Sequence, residues 1–214
     1  EIKNPVTAIN MALRAVADKL GEDEQEVLEE LASRMRKLEL QMRQTLSFAK
    51  PLHLKMAICQ PAYLIEDVGR ALKPILLKAG VTLHPEVEPD TPAFRGDPTR
   101  LEEVLTNVVS NALEMLESGG HVHISTRSDG RNHLVFDIED DGPGVAGSVR
   151  ETLFKPFVTT KLEGTGLGLP ICRRIIEEHG GTIEVAQGRD PRECKTDGAC
   201  FRIRLPVSGP MESA

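Results

Sequence analysis

The apolar positions of the first fifty residues follow a helical repeat. They recur at alternating intervals of four and three residues, which is the spacing of one buried helix face: Ile2, Val6, Ile9, Leu13, Val16 and Leu20. Gly21 interrupts the pattern, and the same spacing resumes at Leu28 and continues to about Ala49, just before Pro51. The pattern predicts two antiparallel helices over residues 1–50. Because a lone hairpin would leave its apolar stripe in water, we expect two copies to pair into a four-helix bundle. Packing onto the downstream part of the chain is the alternative.

Beyond Pro51 the pattern changes to short alternating stretches and longer amphipathic ones. The alternating stretches predict strands at 54–58, 81–83, 93–95, 121–125, 134–138, 182–185 and 200–205. Two prolines open helices, at Pro61 with apolar positions through Ile75 and at Pro98 with apolar positions through Leu116. Strands and helices do not alternate strictly. We therefore predict an α+β fold over 51–208, with a mixed or antiparallel sheet covered on one face by helices, and a flexible tail at 209–214.

Composition narrows the functional classes. Of 214 residues, 40% are hydrophobic but only six are Phe, one is Tyr and none is Trp, so the core is expected to be aliphatic. The net charge of −7 provides no basic field for nucleic acid or an anionic membrane. Four cysteines lack metal-type spacing and no long apolar span is present, which favours a cytoplasmic protein with reduced thiols. A hairpin disulfide between Cys194 and Cys200 is the alternative. Because the chain starts at Glu1 without a Met, we expect a fragment.

A glycine-rich loop is the strongest candidate for chemistry. Residues 164–168 read Gly-Thr-Gly-Leu-Gly and are followed by a predicted helix with apolar positions Leu169, Ile171, Ile175 and Ile176. Glycines at alternate positions let backbone N–H groups approach a ligand, and the positive end of a helix dipole favours an anion. The loop therefore indicates a phosphate site, with a ligand-free glycine turn as the alternative.

Five motifs in order resemble those of bacterial sensor histidine kinases. Residues 1–5 are similar to the end of the H-box, Asn107 and Asn111 to the N-box, and residues 140–144 to the first glycine box. Residues 154–157 resemble the F-box and residues 164–168 the second glycine box. The resemblance implies a dimerisation and phosphoacceptor hairpin at 1–50, followed by the ATP-binding α/β sandwich shared with DNA gyrase and the heat-shock chaperone ATPases. The wording around Asn111 and at 156–161 is most similar to the nitrogen-regulation subclass.

The resemblance also implies a set of site residues for ATP and Mg²⁺. Asn111 would offer an oxygen to Mg²⁺, with Asn107 orienting or completing that shell, because Mg²⁺ prefers oxygen ligands. Asp140 would accept a hydrogen bond from the adenine amine, with a turn aspartate as the alternative. Phe154 and Phe157 are expected to anchor a lid over 145–165. The remaining implied nucleotide-binding residues are Gly142, Gly144, Thr160, Lys161, Gly164, Thr165, Gly166, Leu167 and Gly168.

The phosphoacceptor histidine of the family would immediately precede Glu1. The six histidines of the chain all lie outside the first predicted helix. By the resemblance, Glu1 is the acid–base partner of that histidine and Asn4 orients water when a phosphorylated partner is dephosphorylated. Glu114 stands where many relatives have a phosphate-facing lysine. We expect the fragment to bind ATP without autophosphorylating at the usual position.

The implied function is the cytoplasmic core of a sensor histidine kinase, whose full-length parent can be membrane-anchored. It would pass the γ-phosphoryl group of ATP to the histidine and then to an aspartate of a response regulator, and would carry possible phosphatase activity. It would form a homodimer through 1–50 and contact neither nucleic acid nor, in this fragment, a membrane. The alternatives are a non-catalytic ATP-binding switch and a gyrase-like ATPase. The second is disfavoured because Asn107 is an amide and cannot serve as a general base.

Overall fold

A computed structural model describes residues 51–159, 165–186, 196 and 198–210, together with Leu31, Ala32 and Met35, which are helical. The chain divides into two compact units, Glu1–Pro51 and Leu52–Ala214. The rest of the predicted hairpin at 1–50 lies outside the described residues, so the hairpin stays a prediction. Within the described ranges, no helix is both long enough and apolar enough to cross a membrane.

The second unit intermixes helices and strands, as its sequence pattern predicts. The helices are α1 (Pro61–Ala79), α2 (Pro98–Leu113), α3 (Gly147–Arg150) and α4 (Gly168–Glu178). The strands are β1 (Ala57–Cys59), β2 (Thr82–Val87), β3 (Phe94–Gly96), β4 (His121–Ser128), β5 (His133–Asp140), β6 (Thr182–Val185) and β7 (Cys200–Pro206). Pro61 and Pro98 both occupy the first turn of their helices, where a missing N–H costs nothing.

The main sheet has five strands in the order β2-β4-β5-β7-β6, and β1 pairs with β3 in a separate two-stranded sheet. β2 runs parallel to β4, and every other pairing in the main sheet is antiparallel. One face of the sheet is apolar, with Phe136 beside Ile203 in the register, and shares the core with α1, α2 and α4. The mixed sheet with helices confirms the predicted fold class for this unit.

The opposite face of the sheet carries charged and polar side chains. The Asp137 carboxylate on β5 accepts hydrogen bonds from Nε of Arg202 on β7 at 2.7 Å and from Nη1 of Arg127 on β4 at 3.0 Å. Asp137 and Arg202 are both almost fully buried. On the neighbouring strands, a ring nitrogen of His84 lies 2.9 Å from one of His121. The alternation of apolar and polar positions along these strands therefore separates a core face from a polar face.

Several details differ from the sequence prediction. Ile75 is 50% exposed, because Leu76 lies one helical turn beyond Leu72 and takes the buried position instead. β1 covers only the last two residues of the predicted strand at 54–58 and extends one residue beyond it, to Cys59.

The packed part of the second unit also extends further along the chain than predicted. Gly209 is buried, and Pro210 lies against Gly180, so the predicted tail at 209–214 does not begin at Gly209. Cys200 is buried, and Cys194 lies outside the described residues, so the disulfide between them stays an alternative.

Candidate functional site

The helix that carries the two asparagines is fixed at its first turn by a buried polar cluster. Oδ1 of Asp97 accepts the N–H of Arg100 and thereby caps α2, while its Oδ2 accepts the N–H of Lys55 at 2.7 Å. The N–H of Asp97 donates to Nε2 of His179, just after the end of α4, and Nδ1 of His179 donates to the carbonyl of Ile175 at 2.7 Å. His179 is therefore neutral, and burial lowers its pKa. The cluster joins the start of α2 to the end of α4.

Helix α4 brings the glycine-rich loop against the side of α2 that bears Asn107 and Asn111. Both asparagines are half-buried. A Cβ atom at Gly168 would lie 3.1 Å from Oδ1 of Asn107, so glycine allows the first turn of α4 to approach the amide. One turn later, the buried Cys172 thiol donates to the carbonyl of Val104, and burial raises its pKa to about 12. The structure thus brings the start of α4 next to Asn107.

The described end of the lid packs closely on the loop. The N–H of Phe157 donates to the carbonyl of Gly166, which has a φ of 63°, and a Cβ at that glycine would lie 2.7 Å from the backbone of Phe157. Phe157 itself has a φ of 64°, which is strained for a residue with a side chain. Its ring is 65% exposed, so the prediction that Phe157 anchors the lid is wrong. Phe154 instead packs edge-on against the ring of Phe201.

Asp140 lies at the end of β5, where backbone donors hold its carboxylate. Its Oδ1 accepts the N–H of Gly142 at 3.0 Å and the N–H of Ala199 at 3.2 Å. Burial raises the pKa of this carboxyl above its usual range, the two N–H groups oppose that shift, and the neighbouring Asp141 adds to it. The carboxylate is fixed through one oxygen, and it lies beside the chain that follows α2.

A cleft of about 490 Å³ opens at the residues that directly follow Asp140 in the chain. It is lined by the segment after α2, from Met115 to Gly120, and by Asp141, Gly142 and Pro143. The carbonyl of Met115 and the side chain of Leu116 lie within 4 Å of the position that a Cβ would take at Gly142. The segment after α2 and residues 141–143 of the first glycine box therefore meet at this cleft.

The predicted site residues divide into two groups. The structure describes Asn107, Asn111, Asp140, Gly142, Gly144, Phe157, Thr165, Gly166, Leu167 and Gly168. It brings Gly142, which bonds to Asp140, close to the segment just after α2, and it brings Gly168 to Asn107 on α2. Thr165 accepts the N–H of Leu167 through its hydroxyl. Glu1, Asn4, Thr160, Lys161 and Gly164 lie outside the described residues, and their roles stay predictions.

Sequence reasoning missed the residues that contact Asp140 from far along the chain. Ala199 and Thr196 both bond to Asp140, although 59 and 56 residues separate them from it. Met115 lines the cleft just beyond the asparagine pair. No local periodicity reports such contacts. The one available signal was Gly198, two residues before β7, since a glycine at a strand often marks a close backbone approach.

Comparison with protein families identifies the part of the chain that holds these residues. A model of histidine kinase-, DNA gyrase B- and HSP90-like ATPases matches residues 96–209. Sporulation kinase C of Bacillus subtilis (strain 168) is 28% identical over 208 residues, which cover 97% of this chain and 47% of that protein. The chain thus spans about half the length of this curated relative.

Solved structures agree with the observed fold. The histidine kinase ThkA, solved in complex with the response regulator protein TrrA, matches 97% of this chain and 59% of its own with a TM-score of 0.70 and 25% identity. Full-length ShkA in complex with AMPPNP matches all of this chain and 45% of its own with a TM-score of 0.82, and its 24% identity bears on the fold alone. The resemblance to sensor histidine kinases is confirmed, and the chain belongs to the family of histidine kinase-, DNA gyrase B- and HSP90-like ATPases.

Proposed function

We propose that this chain is the core of a sensor histidine kinase that binds ATP with Mg²⁺. The observation that carries the proposal is the position of α2, which reaches from the glycine loop to the surroundings of Asp140. Asn107 lies close to Gly168 of the glycine loop, and the segment after Leu113 lines the cleft and lies close to Gly142, which bonds to Asp140. Asn107 and Leu113 are six residues apart, which is about 9 Å along the axis of α2, and Met115 lies just beyond the end of the helix. That separation suits a nucleoside triphosphate, with its base at one end and its phosphates at the other.

The base end of the site fits adenine. Two backbone N–H groups donate to Oδ1 of Asp140 and thereby fix the orientation of the carboxylate. Its Oδ2 would then accept a hydrogen bond from a donor of the ligand. The exocyclic amine of adenine is such a donor, whereas guanine and hypoxanthine would present an oxygen there. The cleft at residues 141–143 would supply flanking contacts from Met115 and Pro143.

The phosphate end fits a magnesium-bound polyphosphate. Gly166 and Gly168 leave space that a Cβ would fill, next to the backbone of Phe157 and the amide of Asn107. Asn111, four residues after Asn107 on the same helix, would hold Mg²⁺ through its amide oxygen, and Asn107 would complete or orient that shell. The N–H groups at the start of α4 would face phosphate oxygens.

The bound ATP supplies a γ-phosphoryl group whose transfer requires positioning and charge neutralisation. The residues of this chain orient the nucleotide, and Asn107 provides an amide rather than a carboxylate base, which favours transfer to a histidine over activation of water. The acceptor would precede Glu1, with Glu1 as its acid–base partner. Asn4 would orient water in a phosphatase step, and Thr160 and Lys161 would contact the γ-phosphate.

The proposal includes partners. A homodimer would form through 1–50, and the phosphoryl group would pass to an aspartate of a response regulator. The similarity to ThkA, which was solved with a response regulator protein, supports this part of the proposal. The nitrogen-regulation subclass and a cytoplasmic location belong to the proposal on the sequence resemblance alone.

The decisive experiment adds a histidine before Glu1 and incubates the protein with γ-labelled ATP and Mg²⁺. The expected result is an acid-labile, alkali-stable label on the protein, because phosphohistidine has that stability. The Asn111→Ala variant should lose the label while it keeps its fold, as checked by circular dichroism.

Two other outcomes would overturn the proposal. ATP binding without label in either protein would point to a non-catalytic switch. Steady release of inorganic phosphate without protein label would point to a gyrase-like ATPase.

A further inference from the structure

Thr196, Gly198 and Ala199, shortly before β7, lie against the end of β5. Three contacts within this short stretch involve Asp140. Its N–H donates to the carbonyl of Ala199 at 3.0 Å, its Oδ1 accepts the N–H of Ala199 at 3.2 Å, and its carbonyl accepts the hydroxyl of Thr196 at 2.6 Å. Both the peptide and the carboxylate of Asp140 are therefore held by the same stretch.

Thr196 is itself held by the residue before Asp140. Its N–H donates to Oε2 of Glu139 at 3.2 Å, and the Glu139 side chain is almost fully buried. Because neighbouring strand residues face opposite sides of the sheet, Glu139 lies on the polar face while Asp140 lies on the face of the nucleotide site. Thr196 thus bonds to two successive residues of β5, through its N–H to one and through its hydroxyl to the other.

The two segments are packed closely against each other. A Cβ at Gly198 would lie 2.1 Å from the carbonyl oxygen of Asp140 and 2.6 Å from its Oδ1. Only glycine permits this approach. The hydroxyl of Thr196 and the backbone of Gly198 therefore reach the Asp140 peptide together, and the orientation of that peptide determines where the carboxylate points.

We propose that Thr196, held by Glu139, is a positioning residue for base selection at Asp140. Its hydroxyl fixes the Asp140 peptide so that the second carboxylate oxygen faces the amine of a 6-aminopurine. Without that hydrogen bond the peptide can tilt, and the carboxylate loses the alignment that separates an amine from a carbonyl oxygen at the same place. The effect concerns the base and leaves the phosphate end of the site unchanged.

This inference rests on the proposed binding of ATP, and its test separates the two. The probes are ATP and inosine triphosphate, which differ at C6 and the adjacent N1 and carry the same phosphates. Their dissociation constants with Mg²⁺ are measured by calorimetry for the whole chain and for Thr196→Val. We expect the preference for ATP to fall about five- to tenfold, the usual value of one hydrogen bond. Thr196→Ser, which keeps the hydroxyl, should restore the preference.

Thr126→Val is the matched control. Its hydroxyl is buried in the same sheet and, within the part of the chain that the structure describes, has no hydrogen-bond partner. Its loss should leave the ratio of the two dissociation constants unchanged. If Thr196→Val does not fold, Thr196→Ala removes the same hydroxyl with a smaller side chain.

The outcomes separate the inference from the proposed function. A wild-type chain that binds neither nucleotide would overturn the proposed function and the inference with it. A wild-type chain that prefers ATP, together with a Thr196→Val variant whose affinity is unchanged or falls equally for both nucleotides, would overturn the inference alone. Equal weakening is what a general loss of structure produces.

Discussion

Asp140 concentrates the chemistry of the site in one side chain. Its Oδ1 accepts two backbone N–H groups, so a substituted amide must place its own oxygen there and its NH₂ at the other position. Asp140→Asn should therefore weaken ATP binding by about 10- to 100-fold, because two donors would face each other. Inosine triphosphate, which has an acceptor at C6, should lose much less affinity.

Titration of both nucleotides by calorimetry tests this exchange of preference. Asp141→Asn is the control, since Asp141 also lies at the cleft but bonds to the N–H of His121. Equal losses for the two nucleotides in Asp140→Asn would contradict a role in recognising the base.

At Gly168, one substitution should maintain or raise helix stability and at the same time weaken ligand binding. Alanine is a better helix former than glycine by about 0.5–1 kcal/mol. A Cβ at Gly168, however, would lie 3.1 Å from Oδ1 of Asn107 and push the amide away. Gly168→Ala should keep or raise the melting temperature and weaken binding of ATP with Mg²⁺ by about fivefold or more.

Gly147→Ala provides the comparison. Gly147 also begins a helix, and a Cβ there would meet no atom within 4 Å. The two variants should differ in nucleotide affinity by calorimetry, and an unchanged affinity in Gly168→Ala would refute the importance of the close approach.

At the scale of elements, one ion pair joins the central strands of the sheet. Asp137 on β5 and Arg202 on β7 are both almost fully buried and bonded at 2.7 Å. Removing one partner leaves a buried charge without its strongest contact, so Arg202→Met should cost about 3–5 kcal/mol of unfolding free energy.

The exposed pair of Arg173 and Glu177 on α4 serves as the reference. Their side chains are about half exposed and also lie 2.7 Å apart. Arg173→Met should change stability by less than about 1 kcal/mol, because solvent screens the pair. Urea unfolding measures both variants, and similar costs would mean that burial does not govern these pairs.

Elements with local patterns were predictable, and contacts between distant elements were not. The sequence pattern correctly predicted α2, because Pro98 opens it and Leu101, Val104 and Leu105 follow the helical repeat. It also placed Asp140 at the end of a strand, because the alternating stretch at 134–138 stops just before it. The bond from Ala199 to Asp140 depends on sheet order, which no local pattern reports. Phe157 is exposed and has a positive φ, and neither property follows from its apolar character.

At the scale of the whole ATP-binding unit, His179 links stability to pH. The folded structure lowers the pKa of His179, mainly through burial, so the unfolded chain binds more protons below its ordinary pKa of about 6.5. The stabilising effect of neutral His179 is thus present at pH 8 and is lost as the pH falls below about 6.5. His179→Gln should cost about 2 kcal/mol at pH 8, and the difference from the wild type should shrink towards pH 5.

Urea unfolding at several pH values tests this dependence. Thr126→Val is the control, since it changes a buried side chain that does not titrate, and its difference from the wild type should stay the same at every pH. A difference between His179→Gln and wild type that grows as the pH falls would contradict a buried neutral His179.

The last strand of the sheet is also one of its inner strands. β7 lies between β5 and β6, so β6 has no partner in the sheet until residues 200–206 exist. Ala199, directly before β7, also holds Asp140. Until β7 is synthesised, β5 and β6 therefore each have an unpaired edge, and such edges can pair wrongly with other nascent chains. We therefore expect a chain that stops before residue 199 to lack both β7 and the backbone groups of Ala199 that hold Asp140, and so to bind no nucleotide.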